Sequence, residues 1–494
     1  MGLVDLGPLV SLTGLSVDVL GPGLALLSSY VLALPFAILP SAAAKNAFSV
    51  ATSGLIFMAL FNVHGLVQLL ALSGACYFVS IRFRSSSRMP VFVLALSMAV
   101  LGMNHLNAQF FQDELSPRFD QTVPMMVAVQ KMTTFAWSIH DGTKSDKKLS
   151  KTQQSLKIST VPSILQYLGF IFFYPAFILG PSFHFNTYND FVNNSGQFSL
   201  VSGRNVLPGR WVYFSKTVTI GLVCVVIHMF ASPILMYDFG LTDAFLGYSF
   251  LERCGYLLAS ALVQQCQFFS AWKLAEGACI LCGFGFNGVD AKNAGSYKWD
   301  RCENVRIWEI ELAENPRMFL SAWNVQTALW LRSAVYLRLA PESLPDQTLE
   351  EAREAKANAS FATHATFLVS AFWHGFYPGF YLTFITLSFL VSANRISRKW
   401  IRPLFHNPES KLHSFLSVYH VVGWAVTCIG MNYATVGMQM KRFNSAMILW
   451  RRIYFSVHIA LVALTLLDIV LGALGRSKKV AGTGKTAGKT TKTE

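Results

Sequence analysis

The sequence predicts an all-α polytopic membrane protein, with about eleven transmembrane or re-entrant helices. Three observations carry this. Hydrophobic residues make up 53% of the chain and charged ones only 13%, with 40 phenylalanines. Apolar runs recur along almost the whole length, and the lysines and arginines sit mainly in the short segments between them. At ~150 residues per soluble domain the 494 residues would make roughly three, but no stretch has the mixed composition of one. The net charge of +14 is therefore read as loops facing anionic lipid or an anionic small molecule, and nucleic acid is not an expected partner.

Taken in order, the apolar runs are 24–43, 50–81, 90–107, 122–139, 161–180, 211–236, 241–271, 318–339, 361–373, 375–393, 415–439 and 453–475. Each is long enough for a span or a packed intramembrane helix. The run 50–81 exceeds one span and carries His64-Gly65 in its middle, so two short helices are expected there. Met1 to Gly21 has no Lys or Arg and includes Asp5 and Asp18, unlike a cleavable signal. The Met-Gly start lacks the Ser or Thr at position 6 that myristoylation needs.

Arg82, Arg84 and Arg88 form one basic loop, and Lys144, Lys147, Lys148, Lys151 and Lys157 another; both should face the cytosol, with two passes between them. Further on the charge rule conflicts with itself. The segments Arg395–Lys411, Lys441–Arg452 and the tail from Arg476 are all basic, yet single apolar runs separate them. One run must re-enter, or one cluster is not a topology signal. Sequons stand at Asn193 and Asn358. Residues 1–475 are read as a single multi-helix membrane domain and 476–494 as a disordered basic tail.

Several motifs carry little chemistry. Cys279 and Cys282 form a C-x-x-C inside an apolar run without a second pair, so no metal site is expected. Gly283 to Gly288 matches G-x-G-x-x-G, but without the strand and parallel sheet of a dinucleotide site it reads as a flexible junction leaving a helix. Leu179 to His184 and Trp137 to Gly142 read as helix ends on turns, with structural roles first.

His374 is different. It stands in Phe367 to Tyr381, where nearly everything else is apolar or aromatic, and an ionisable group at membrane depth by default faces an interior or a water-filled cavity. Gly375, Pro378 and Gly379 follow, so the helix should bend or break just after it. Two readings stand open at this point: an active-site histidine, or a satisfied histidine at a kink. His364, ten residues earlier, lies about 15 Å away along a helix and makes no metal pair with it.

Arg317 to Leu339 contains neither Pro nor Gly and reads as one helix. At about 100° per residue, Ser321, Asn324, Thr327, Arg332 and Arg338 gather on one polar arc with Trp323 and Trp330 beside it. The arc reads either as a helix contact or as the wall of a substrate chamber, where Asn324 donates and accepts hydrogen bonds and arginines meet phosphates.

Together these stretches resemble the membrane-bound O-acyltransferase family, and within it the lysophospholipid acyltransferase branch. The carrying motifs are Ser370 to Gly379, Trp323 to Leu331, and Val335 to Arg338; Tyr174 to Pro181 and Pro124 to Gly142 support them. The resemblance covers about residues 90–440. It implies that His374 is the general base and Asn324 its polar partner, in an intramembrane catalytic chamber of the family's fold.

It implies also acyl transfer from acyl-CoA, a co-substrate and not a resident cofactor, to the free hydroxyl of a lysophospholipid in the endoplasmic reticulum membrane. Trp323, Thr327, Trp330, Arg338 and Trp373 are then expected to line the substrates, with Arg317, Arg332 and Lys298 holding CoA phosphates at the cytosolic rim. The sterol-acylating branch has F-Y-x-D-W-W-N where this chain has Phe319 to Asn324, sharing only the final Trp-Asn, which argues against a sterol acceptor. The acidic loop Leu339–Ser360, with Glu342, Glu350, Glu351 and Glu354, departs from the pattern between the two motifs. A protein acceptor and a non-enzymatic lipid or ion transporter remain the alternatives. A homodimer is entertained, with nothing in the sequence to decide oligomeric state.

Overall fold

The computed structural model describes residues 3–111, 119–201, 203, 207–290, 296–342 and 349–486. The principal helices are α1 (Val17–Ala37), α2 (Ala42–Leu60), α3 (Val63–Arg82), α4 (Met89–Phe110), α5 (Thr122–Asp141), α6 (Ile164–Ile171), α7 (Arg210–Ala231) and α8 (Phe250–Leu281). They continue as α9 (Pro316–Ala322), α10 (Val325–Leu331), α11 (Leu349–His374), α12 (Pro378–Trp400), α13 (Leu416–Met440), α14 (Phe443–Arg452) and α15 (Ser456–Thr486). Among the described residues there are no strands, only two isolated bridges. Among the described residues, eight helices are long and apolar enough to cross a membrane: α1 to α4, α7, α12, α13 with its lead-in from His413, and α15 to Leu474. The long helices α5, α8 and α11 carry more polar residues and fall outside those eight.

The breaks between helices have local causes. The apolar run 50–81 does divide, but at Phe61-Asn62 rather than at His64-Gly65 and between two helices of span length rather than two short ones, because the Asn62 side chain accepts the Gly65 amide at 2.7 Å and opens α3. His140 Nδ1 donates to the Arg84 carbonyl at 2.8 Å, so the two basic loops meet at one end of the bundle, as the pair of passes between them requires. In the basic segment Lys441–Arg452, Arg452 is held by the Gly240 and Thr242 carbonyls at 2.7 and 2.5 Å and by Asp243 at 3.6 Å. Helix α15 runs on through Thr486, into the segment expected to be disordered; residues 487–494 lie outside the described ones.

The run 161–180 does not form the single helix its composition suggests. Helix α6 ends at Ile171, and a short 3-10 turn at Tyr174–Ala176 leads to Gly180 at φ +79°. A helix end inside a bundle must find donors for its last carbonyls. Here Lys131 of α5, wholly buried, donates from Nζ to the Phe170 and Ile171 carbonyls, both at 3.1 Å. Ser53 Oγ donates to the next carbonyl, that of Phe172, at 2.6 Å. Lys131→Met should therefore lower the thermal midpoint of the purified protein, since each orphaned carbonyl costs about 1–3 kcal/mol. A midpoint matching the wild type would show that other donors take its place.

The G-x-G-x-x-G segment is not a loose junction. Phe284 and Phe286 are fully buried, Gly283 and Gly288 have positive φ, and the Gly285 amide returns to the Cys279 carbonyl at 2.9 Å. Glycine is required where the backbone turns so tightly against its own helix: a Cβ at Gly285 would sit 2.8 Å from the Ile280 side chain.

Candidate active site

Helix α11 ends at His374 and α12 opens at Pro378, so the bend falls where expected. Gly375 takes φ +117°, a conformation side chains rarely adopt, and its amide closes onto the Phe372 carbonyl at 3.0 Å. The start of α12 is then clamped to α13. The Gly379 amide donates to the Lys441 carbonyl at 2.8 Å, and a Cβ at Gly379 would meet the Gly437 carbonyl at 2.0 Å. From the other side comes His105 of α4, whose Nε2 lies 3.0 Å from the Trp373 carbonyl. A carbonyl only accepts, so this nitrogen carries the proton and the bond ties α4 to the residue before His374. The sequence reading passed over His105, although an ionisable group in the apolar run 90–107 is the same signal that singled out His374.

The His374 ring packs face-on against Phe384, with centroids 5.1 Å apart, and edge-on to Trp373 at 4.7 Å. It is nevertheless only half-buried, and among the described residues no protein group hydrogen-bonds either ring nitrogen. A histidine that merely served a kink would be satisfied by its surroundings.

Asn324 arises from a break that the sequence does not announce. The expected helix Arg317–Leu339 is interrupted: α9 ends at Ala322, Trp323 is extended, Asn324 is left-handed at φ 46° and ψ 52°, and α10 starts at Val325. A wider π-type turn follows at Arg332–Tyr336. Asn tolerates the left-handed region better than most residues, but it is Asn304, far away in sequence, that makes the break favourable. Its backbone carbonyl accepts the Val325 amide and its side-chain Oδ1 the Gln326 amide, both at 2.9 Å. Its Nδ2 donates to Asn324 Oδ1 at 3.2 Å.

The single polar arc is consequently dispersed. Ser321 is exposed and donates to the Met318 carbonyl at 2.8 Å. Thr327 is buried and accepts from Gln130 Nε2 at 3.0 Å. Arg332 pairs with Glu342 at 2.8 Å, and Arg338 forks onto Asp141 at 3.1 and 2.8 Å. Lys298 pairs with Asp290 at 3.6 Å, and Arg317 is exposed on α9. Trp323 packs among Phe268, Phe269, Trp272 and Phe319, its centroid 5.1 Å from that of Trp272.

What gathers both motifs is α5, of which only Val123, Met126 and Trp137 are not buried. One stripe of it, at three- and four-residue spacing, serves each in turn. The Met126 carbonyl accepts Trp373 Nε1 at 3.0 Å, Gln130 holds Thr327, and Thr133 Oγ1 accepts Trp330 Nε1 at 2.8 Å. Trp137 lies under the Arg338 guanidinium at 4.0 Å, and Asp141 receives that guanidinium. Trp330 and Trp373 touch across the stripe, centroids 5.7 Å apart. No hydrogen bond joins His374 to Asn324. The link is packing: Phe384, against the His374 ring, shares one core cluster with Val305, Phe319, Ala322 and Trp323 around Asn324.

The fold is that of a multi-pass membrane protein, whose helical bundle holds the His374 ring and the left-handed Asn324. The chain belongs to the membrane-bound O-acyltransferase family, whose family model matches residues 106–436. It is 32% identical over 458 residues to the lysophospholipid acyltransferase of Schizosaccharomyces pombe, covering 90% of this chain and 86% of that one. The lysophospholipid acyltransferase of Saccharomyces cerevisiae is 31% identical, covering 82% of this chain and 67% of that one. Human membrane-bound glycerophospholipid O-acyltransferase 2 is 29% identical over 83% of this chain and 76% of its own length.

Proposed function

We propose that the protein transfers a fatty acyl group from acyl-CoA to the free glycerol hydroxyl of a lysophospholipid in the endoplasmic reticulum membrane, giving a diacyl phospholipid and CoA. The observation that carries the chemistry is the half-buried His374 ring, with neither nitrogen engaged by protein among the described residues. The lysophospholipid acceptor is supported by the names of relatives that align over most of the chain.

In this reading neutral His374 takes the hydroxyl proton as the oxygen attacks the thioester carbonyl. The tetrahedral intermediate collapses, the carbon–sulfur bond breaks, and the departing thiolate takes the proton from the imidazolium. Asn324 serves the same step as its polar partner. At the rim, Arg332 with Glu342 and Lys298 with Asp290 are partly exposed pairs. Such pairs are worth about 0–1 kcal/mol, so a CoA phosphate displaces the carboxylate at small cost.

The test is purified protein offered a panel of lysolipids and acyl-CoAs, with products read by mass and free CoA measured. Equal amounts of CoA and diacyl phospholipid, dependent on the added lysolipid, are expected. Acylation of peptide hydroxyls with no lysolipid product would overturn the assignment.

A further inference from the structure

An asparagine beside a thioester can act in two opposite ways: its oxygen can hold the acceptor hydroxyl, or its N–H groups can stabilise the developing oxyanion. We infer that Asn304 is a positioning residue that decides between them, by holding the oxygen of the Asn324 carboxamide and leaving only N–H donors for the reaction. The inference rests on the reading of Asn324 as the polar partner of His374.

The orientation follows from a chain of necessity that starts at a backbone group. The Gln326 amide can only donate, so the Asn304 side-chain atom 2.9 Å from it is the oxygen. The other terminal atom of Asn304 is then nitrogen, which only donates, and its partner 3.2 Å away on Asn324 must be the oxygen. The usual ambiguity of amide orientation is thereby removed at both residues. Asn324 Oδ1 is engaged; among the described residues nothing in the protein accepts from its Nδ2, and the residue is only half-buried.

Asn304 is itself held. It is 4% exposed, and Gln326 Nε2 reaches back to the Arg301 and Glu303 carbonyls at 3.4 and 3.3 Å. The Glu303 carboxylate meets buried Lys273 at 3.5 Å, which also pairs with Glu276 at 2.9 Å. A charged anchor on α8 thus fixes the segment that fixes Asn324. The same contacts that impose the left-handed turn also polarise the side chain, so backbone break and chemical role have one cause.

The experiment compares Asn324→Ala, Asn324→Asp and Asn304→Asp as purified protein, with kcat, KM for both substrates and the thermal midpoint measured. Asn324→Asp accepts from Asn304 as before but offers no donor, so kcat should fall about as far as for Asn324→Ala, on the order of 10²-fold. In Asn304→Asp the carboxylate still accepts the Gln326 amide but repels Asn324 Oδ1. The Asn324 amide rotates, its oxygen replaces the donors, and kcat should fall similarly with both KM values little changed.

Asn324→Asp at wild-type turnover beside an inactive Asn324→Ala would overturn the inference and leave Asn324 in the site as an acceptor. Wild-type turnover in Asn324→Ala would instead remove Asn324 from the site. A purely structural Asn304 would show a lower midpoint with kcat of the surviving fraction intact, which also overturns the inference. Should Asn304→Asp not fold, Asn324→Asp alone still decides between donor and acceptor.

Discussion

Replacing His374 with alanine is expected to lower acyl transfer by about 10²–10⁴-fold while leaving the amount of folded protein nearly unchanged. The two halves of this expectation come from different observations. The rate loss is that of a general base, since without it the attacking hydroxyl must shed its proton unaided. The retained fold follows because no protein group hydrogen-bonds the ring, so its removal orphans no buried donor or acceptor among the described residues. The lost contacts are those with Phe384, Trp373 and Phe380, of which the Phe380 centroid lies as far as 6.0 Å away. Turnover close to wild type at matched abundance would remove His374 from the chemistry. Turnover lost together with monodispersity in detergent would return it to the kink role.

Arg338→Met should lower stability substantially, while Arg332→Met, six residues away, should be nearly silent. Both arginines make close pairs with a carboxylate, at 2.8 Å in each case, but the environments differ. The Asp141 side chain is 3% exposed and that of Arg338 16%, whereas Arg332 and Glu342 are 50% and 29% exposed. Removing one partner of a buried pair leaves a charge without compensation and costs roughly 3–5 kcal/mol. Lys144, 3.8 Å from Asp141, and the Gln153 amide at 3.4 Å offset part of that, so the lower end is expected. The exposed pair is worth about 0–1 kcal/mol. Thermal midpoints of the two variants, measured side by side in one detergent, check the contrast. Equal midpoints would mean that Asp141 does not bind the segment after the π-type turn to α5.

The Arg338 prediction depends on α5, which illustrates what a sequence shows and hides. Gln130, Lys131, Thr133 and Thr134 stand in an apolar run, and that polarity is visible. Which of them cap a broken helix and which hold the two site motifs is not, because their partners are distant in sequence. The Trp137–Gly142 segment reads locally as a helix end on a turn, and it is one. Its second role, receiving Arg338 on Asp141, appears only when α5 meets the turn after α10.

The bend after His374 was legible because its causes are contiguous. Gly375, Pro378 and Gly379 are all local instructions, and Gly375 takes the positive φ that glycine allows. That the run 50–81 divides was legible from its length, but its position was set by the Asn62 side chain capping the second helix. The break at Asn324 was not. Arg317 to Leu339 contains only residues compatible with a helix, and the hydrogen bonds that pay for the interruption come from Asn304.

From its composition and runs, the sequence by itself determined a helical membrane protein, the position of an ionisable group at depth, and the residues that mark its family. These follow from transfer of side chains into lipid and from local backbone preference, which are properties of a residue and its neighbours. Tertiary structure decided the rest: that Arg332 and Arg338 are paired rather than gathered, that His105 bonds the Trp373 carbonyl and Asn304 the Asn324 carboxamide, and which atom of Asn324 is held. A hydrogen bond or ion pair between residues far apart in the chain is set by where the helices cross, and no pattern along one strand of sequence encodes the crossing.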